Sequence, residues 1–350
     1  MIVYTINKNE AEQRLDKYLK KLLKNAPDSF IYKMLRKKNI VLNGKKCDGK
    51  EKLSVGDEVK LFLSDETFEK FSSASKSVSN TDNSAEVNSY IDAYKRIGEL
   101  QIIYENEHIL VVNKPAGILS QKSTPADISI NEWFIGYLLS CKEITKQSLM
   151  TFKPSICNRL DRNTSGMVVC GKSLAGSQYM SRIIKDKSLE KYYHCLVHGA
   201  AEIHERQSCY LYKDSNTNKV TLYPTLDSVP APKRKEATFI DTAFNTIKTE
   251  NNISLIEVQL FTGKTHQIRS HLASIGHPII GDRKYGQASV NDKYLPLGVK
   301  NQLLHAYCLK FPKNDEPRFS DMSELVLKCD EPPVFSKLLF DRKQNTLIGD

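Results

Sequence analysis

Between residues 14 and 24 apolar side chains fall at Leu15, Tyr18, Leu19, Leu22 and Leu23, three and four positions apart. Arg14, Lys17, Lys20, Lys21 and Lys24 occupy positions between them. That period predicts an amphipathic helix with a basic outer face. In "PDSFIYKMLRKKNI" the period returns. Asp28 or Ser29 stands where an N-cap is needed, Phe30, Ile31, Met34 and Leu35 point inward, and Lys33, Arg36, Lys37 and Lys38 point outward. "IVLNGKKC" reads as a short β run, an Asn43-Gly44 turn and a return strand, and "LSVGDEVKLFL" as a strand after a Gly56-Asp57 turn. Over residues 65–95 the periodicity fades. "FSSASKSVSNTDNSAEVNS" offers little to bury and reads as a flexible Ser/Asn-rich linker.

Globular patterning resumes near residue 96. "IIYENEHILVVNKPAGIL" is a β run ending in the turn Lys114-Pro115-Ala116-Gly117, and "GMVVCGK" is a buried strand. "LAGSQYMSRIIKDK" reads as a helix, "KYYHCLVHG" as a strand, and "ISLIEVQL" alternates as a half-exposed strand. "TGKTHQIRSHLASIG" passes from a loop into a helix stopped by Gly276. Strands and helices mix without regular βαβ alternation, so the expected class is α+β.

At 350 residues two domains are a fair expectation. Lys plus Arg number 51 against 41 Asp plus Glu, a net +10. The surplus is uneven, since residues 1–64 hold 15 basic and 8 acidic side chains. Concentrated positive charge favours a polyanionic partner through counterion release. No apolar run approaches a membrane span, and the start lacks a signal-peptide layout, which together predict a cytoplasmic protein with no membrane partner. The eight cysteines form no C-x-x-C pair, so reduced thiols are expected rather than a disulfide framework. His266 and His271 are five apart and do not share a helical face, and no metal is expected there.

Several motifs fail on context. "TGKT" imitates a phosphate-binding loop, but the position five residues before Gly263 is Val258 rather than glycine. No G-x-S-x-G occurs. "NRLDRNTSG" (158–166) remains, with Asp161 between Arg159 and Arg162. Alone it fits a strand-edge turn carrying a surface ion pair.

Four further segments change its weight: "NKPAGIL" (113–119), "EKYYHCLVHG" (190–199), "LFTGKTHQIRSHLASIGHPIIGDRKYG" (260–286) and "LLHAYCLKFP" (303–312). Their types and order resemble the family of pseudouridine synthases typified by H-R-L-D-R-x-T-S-G, most like bacterial enzymes acting on large-subunit (23S) ribosomal RNA. The first sixty residues, with "RLDKYL", a stretch from Ser29 to Gly44 and "VGDEV", resemble the S4 RNA-binding domain. The resemblance implies an S4-like domain over 1–64, the linker over 65–95, a synthase domain over 96–330 with a mixed, mainly antiparallel sheet, and a C-terminal tail over 331–350. Asn158 stands where the family usually has His, and Lys264 where Arg is more usual.

The implied reaction isomerises uridine: an N–C glycosidic bond breaks, the uracil turns, and a C–C bond forms. No cofactor is needed. The resemblance makes Asp161 the catalytic carboxylate, as nucleophile or base, and Arg269 the cation that keeps it ionised. Arg269→Met is expected to leave the fold intact and nearly abolish turnover. Tyr193 is implied to stack on the uracil, with Lys191 supporting the pocket. Arg159 is implied to fill the space the flipped base vacates. Arg162, Lys264 and His266 are expected on the RNA beside it. Arg14, Lys33, Arg36 and Lys37 are expected RNA contacts of the S4 unit. The partner is then ribosomal RNA or its precursor, bound by a monomer. One alternative is an RNA-binding accessory protein with an inactive synthase fold. A hydrolase using Asp161 would need a partner carboxylate or metal near the motif, and none is visible there.

Overall fold

The computed structural model describes all residues except 8, 73–79, 215, 216, 218 and 341–350, and the side chains of 80–84 are likewise left aside. In chain order the elements are β1 (Ile2–Thr5), α1 (Leu15–Leu22), α2 (Asp28–Arg36), β2 (Ile40–Leu42), β3 (Glu58–Leu61), α3 (Asp65–Phe71), α4 (Asn80–Ile97), β4 (Ile102–Glu105) and β5 (Ile109–Lys114). Next come α5 (Ile130–Ser140), β6 (Ser155–Ile156), β7 (Ser165–Gly171), α6 (Leu174–Lys185), β8 (Glu190–His198), β9 (His204–Lys213), β10 (Val220–Tyr223), β11 (Thr238–Glu250) and β12 (Ile253–Leu260). The last are α7 (Gln267–Ser274), α8 (Ala288–Tyr294), β13 (Leu304–Lys310), β14 (Val326–Lys328) and α9 (Pro333–Phe340). Two units emerge: Met1–Val111 with Gln121–Asn158 and Val169–Ser181, and Val112–Ser120 with Arg159–Val168 and Arg182–Asp350.

In the first unit, β1, β3 and β2 form an antiparallel sheet in that order. Leu15, Tyr18, Leu19, Leu22 and Leu23 of the α1 stripe share one core with Ile31, Met34 and Leu35 of α2 and with Ile40, Val59 and Leu61. Two local expectations change. Asp28 begins α2 rather than capping it, because its carboxylate pairs with Lys20 at 2.6 Å. Pro27 takes the N-cap place, which suits a position whose N–H would have no helical partner. The return strand after Asn43-Gly44 shrinks to one bridge, Leu42↔Lys45, because β2 pairs with β3 instead.

The expected linker is helical on both sides of residues 73–79, which themselves lie outside the described residues. Val87, Tyr90, Ile91, Tyr94 and Ile97 stand three and four apart, an apolar stripe that the Ser/Asn content obscured. α4 lies against α5 so closely that a Cβ at Gly136 would collide with the Tyr90 carbonyl. The Trp133 indole donates to the Gly98 carbonyl at 2.8 Å.

The second unit is built on a sheet of order β10-β9-β11-β12-β8-β13, antiparallel throughout. β14 pairs with β13, and the first residues of β7 run parallel to it, with His305 opposite Ser165 and Ala306 opposite Gly166. Gly166 has φ +111°, and a Cβ there would meet the Ala306 backbone, so glycine permits this close pairing. β12 alternates as its sequence predicts. The class is α+β with a mainly antiparallel sheet, as expected. The expected tail differs in part. Residues 333–340 form α9, whose Phe335, Leu338 and Leu339 bury against Leu196, Ile253 and Ile280, and 341–350 lie outside the described residues.

Candidate active site

Asp161 sits in the loop before β7, and the second unit clamps that loop on both flanks. The Ser120 hydroxyl donates to the Leu160 carbonyl at 2.8 Å and accepts the Leu160 N–H at 2.9 Å. On the other flank the Arg162 carbonyl accepts the Gly117 N–H and the Lys114 ammonium, both at 2.9 Å. Lys114 is fully buried, and its Nζ also donates to the carbonyls of Pro115 at 3.0 Å and Ile118 at 2.8 Å. Burial pushes its pKa down to about 7, against the attraction of Asp161. Three carbonyl acceptors match the three N–H groups of the ammonium, and a neutral amine has only two, so these bonds favour the charged form.

The opposing cation arrives on α7. Gln267 ties the helix start to the sheet: its Nε2 donates to the Asp241 carbonyl at 3.2 Å and to Thr242 Oγ1 at 2.9 Å. Its Oε1 accepts from Lys264 N and Thr262 Oγ1, both at 3.0 Å. His266, just before the helix, adopts φ 55°, a left-handed conformation uncommon for a residue with a side chain. Arg269 then spans two acids. Nε and Nη2 donate to the two oxygens of Asp282 at 2.7 and 3.0 Å, and Nη1 donates to Asp161 Oδ2 at 2.8 Å.

The two carboxylates differ in setting. Asp282 is fully buried and also accepts the N–H groups of Lys284 at 2.9 Å and Tyr285 at 3.1 Å. Burial alone would raise its pKa, but the Arg269 guanidinium and these N–H groups hold it below the usual carboxylate range. The Asp161 side chain is 26% exposed, and among the described residues its Oδ1 accepts no hydrogen bond. Burial tends to lower the pKa of Arg269, and the two acids more than offset that. Tyr285 faces the guanidinium with its ring centroid 5.3 Å from Cζ, and its hydroxyl lies 2.9 Å from His266 Nδ1. His266 Nε2 is 3.9 Å from Asp161 Oδ2. Burial lowers the His266 pKa, with Asp161 opposing and Arg269 and Lys284 reinforcing.

Tyr193 lies on β8 opposite Val258 and Ala306 and is 8% exposed. Burial raises its phenol pKa, and the charge of Asp161 raises it further. Lys191, two residues earlier, shares its strand face; burial and the neighbouring Lys187 lower its pKa. Tyr192 turns to the opposite face, where its hydroxyl donates to Glu190 at 2.6 Å.

An accessible carboxylate with one free oxygen, a buried guanidinium on the other and a buried tyrosine on β8 suits chemistry at a nucleoside. A family model for RNA pseudouridylate synthase matches residues 108–274, and one for the S4 domain matches residues 13–59. The ribosomal large subunit pseudouridine synthase C of Buchnera aphidicola subsp. Schizaphis graminum is 30% identical over 317 residues, which is 89% of this chain and 88% of that protein. The chain belongs to the RNA pseudouridylate synthase family. An uncharacterized RNA pseudouridine synthase of Mycoplasma pneumoniae is 29% identical over 341 residues, 96% of this chain and 97% of its own length. The solved structure of human RNA pseudouridylate synthase domain containing 4 is alike in fold, with TM-score 0.51 at 18% identity over 76% of this chain and 97% of that one.

In this pseudouridine synthase the second unit gathers Asp161, Arg269, His266 and Tyr193, with Lys191 on the Tyr193 face of β8, while Arg159, Arg162 and Lys264 are exposed. The S4 residues belong to the first unit: Lys33, Arg36 and Lys37 are exposed, whereas Arg14 is held by Asp16 through bonds of 3.1 and 2.9 Å. Asn158, in place of the usual His, accepts the Val169 N–H at 2.7 Å, a backbone-holding role. Sequence reasoning missed Asp282, Lys114, Gln267 and Tyr285, although all four lie in the motifs it quoted. The Asp282 signal was an acid directly after Gly281, at φ +80°, in "IIGDRKYG".

Proposed function

We propose that this enzyme isomerises specific uridines of large-subunit ribosomal RNA to pseudouridine, with Asp161 as the catalytic carboxylate. The observation that carries the reading is the Asp161–Arg269–Asp282 chain, which leaves one oxygen of a clamped, partly exposed acid free. The substrate follows the relatives, since the Buchnera protein and that of Vibrio parahaemolyticus, 28% identical over 317 residues, are both named ribosomal large subunit pseudouridine synthase C.

The target base leaves its stack, with Arg159 entering the space it vacates, because a paired nucleoside cannot reach a carboxylate recessed in protein. Tyr193 supports the uracil face and limits where the detached ring can turn. Oδ1 of Asp161, the oxygen not engaged by Arg269, acts on the nucleotide as nucleophile or base. The guanidinium holds the other oxygen, Oδ2, through the 2.8 Å bond from Nη1. The S4 unit adds phosphate contacts through Lys33, Arg36 and Lys37 and raises the local RNA concentration. An accessory binder would need none of Asp161, Tyr193 and Arg269 held together, which favours the enzyme.

The test is Asp161→Asn in the full chain, incubated with unmodified ribosomal RNA and assayed by carbodiimide mapping and by release of tritium from uracil C5. The expected outcome is no detectable pseudouridine with RNA affinity retained. Modification at the wild-type rate would refute the proposal.

A further inference from the structure

β9 and its neighbours carry chemistry that neither the core nor the proposed catalytic centre uses. Along β9, Cys209 and Leu211 face inward and join Val220, Leu222, Ile240 and Tyr285 in a small core. Arg206, Ser208, Tyr210 and Tyr212 therefore lie on the other face of the strand. Cross-strand partners share a face. Tyr210 stands opposite Tyr223 of β10 and opposite Phe239 of β11, so three aromatic rings form one row across three strands. Tyr210 and Phe239 meet edge to face with centroids 5.8 Å apart, and Phe239 is 46% exposed. The sheet's core is on its opposite side, so burial does not account for this row.

Cations border it. Lys233 Nζ sits 4.7 Å from the centroid of Tyr212, and the Arg206 guanidinium stacks 3.9 Å from the centroid of Phe261 while bonded to Asp241. Arg206 is offset by Asp241, and the segment beside Tyr212 holds Lys233, Arg234 and Lys235 against one acid, Glu236. Asp227 lies 3.9 Å from the Arg234 guanidinium, which partly offsets its charge. Ring faces for bases and a surplus of cations for phosphates make up the two halves of a single-strand platform.

We propose that the aromatic row Tyr223–Tyr210–Phe239, with Lys233 beside it, binds single-stranded RNA as a second contact surface of the second unit. The occupant is RNA flanking the target, held by sequence-tolerant stacking. The proposal rests on the reading that this enzyme's substrate is RNA, and it is independent of which residue performs the isomerisation.

The experiment uses the full chain and a short single-stranded RNA of mixed sequence carrying 5-iodouridine, a photochemical probe that crosslinks to aromatic side chains. Crosslinks on Tyr210, Tyr223 or Phe239, mapped by mass spectrometry, are the expected result. Phe239→Ala should weaken binding of this RNA from about fivefold upward, the loss of one stacked base. Phe239→Tyr should restore it, and Lys233→Glu should weaken it and flatten its salt dependence. With a long ribosomal RNA fragment Phe239→Ala should raise KM while kcat holds. Absence of crosslinks on these residues with affinity within twofold would overturn the proposal. Altered sedimentation of the variants with unchanged RNA affinity would overturn it too, since the row would then join copies of the protein. In Asp161→Asn the crosslinks should persist although turnover is lost, which separates this inference from the catalytic reading.

Discussion

Asp282→Asn removes one charge from a site that holds one guanidinium between two carboxylates. The asparagine carbonyl can still accept the N–H groups of Lys284 and Tyr285, so the turn survives. Its amide nitrogen, however, then faces the Nε–H of Arg269, where Oδ2 accepts at 2.7 Å in the native protein. A charge-assisted bond is lost and two donors confront each other in a fully buried place. Breaking a buried pair costs roughly 3–5 kcal/mol. Arg269 keeps Asp161 as a partner, so the range for a charged hydrogen bond, about 1.5–3 kcal/mol, is the better figure. If that energy is what holds the guanidinium in its pose, kcat should fall roughly 10- to 150-fold. KM should hold, because Asp282 has no exposed surface with which to touch RNA.

The split between kcat and KM separates positioning from mere support. Tritium-release kinetics on a ribosomal RNA fragment give both quantities, and thermal unfolding confirms a cooperative fold. A folded variant with kcat within twofold of wild type would refute the reasoning. So would a loss confined to KM.

Arg269→Met leaves the buried Asp282 carboxylate without a cation, so the single variant should fold but lose several degrees of Tm as well as turnover. Arg269→Met with Asp282→Leu should regain Tm while remaining inactive, as read by calorimetry and tritium release. Replacing Lys33, Arg36 and Lys37 together by Ala should weaken binding of long RNA and reduce its log–log salt slope by about 2–3, with cooperative unfolding retained. Arg159→Ala should slow modification at limiting RNA with unchanged Tm. His271 is buried, and burial holds its pKa down at about 4 against 6.5. The unfolded chain therefore binds a proton that the folded one refuses, so stability should fall as pH drops from about 6.5 to about 4, by roughly 3 kcal/mol at most from this residue. The Tm-versus-pH slope should flatten over that window in His271→Gln.

Legibility in the sequence followed the range of the interactions. α1, α2, β12 and α7 could be read because the alternation of apolar and polar residues is local, and their burial in the fold matches it. α4 was missed because Ser and Asn are frequent in its first half, while the apolar stripe begins only at Val87 and continues with Tyr90 and Tyr94. α9 was missed because its apolar face acquires meaning only against Leu196 and Ile280, far away in sequence. The site shows the same division. Asp161, Tyr193 and Arg269 were named through motif resemblance. The role of Asp282 needed the distance between a helix and the loop thirteen residues on.

That distance bears on why the site carries two acids for one guanidinium. An arginine opposed only to Asp161 would be free to close both of its forks on the acid and occupy both oxygens. Asp282 engages Nε and Nη2 in a fully buried place and leaves only Nη1 to reach outward. Asp161 consequently receives the charge through one oxygen, which in the proposed reaction leaves the other for the nucleotide. Burying the second pair is costly in stability. In return Arg269 is oriented before RNA arrives, which is the condition under which fixed charges lower a barrier most.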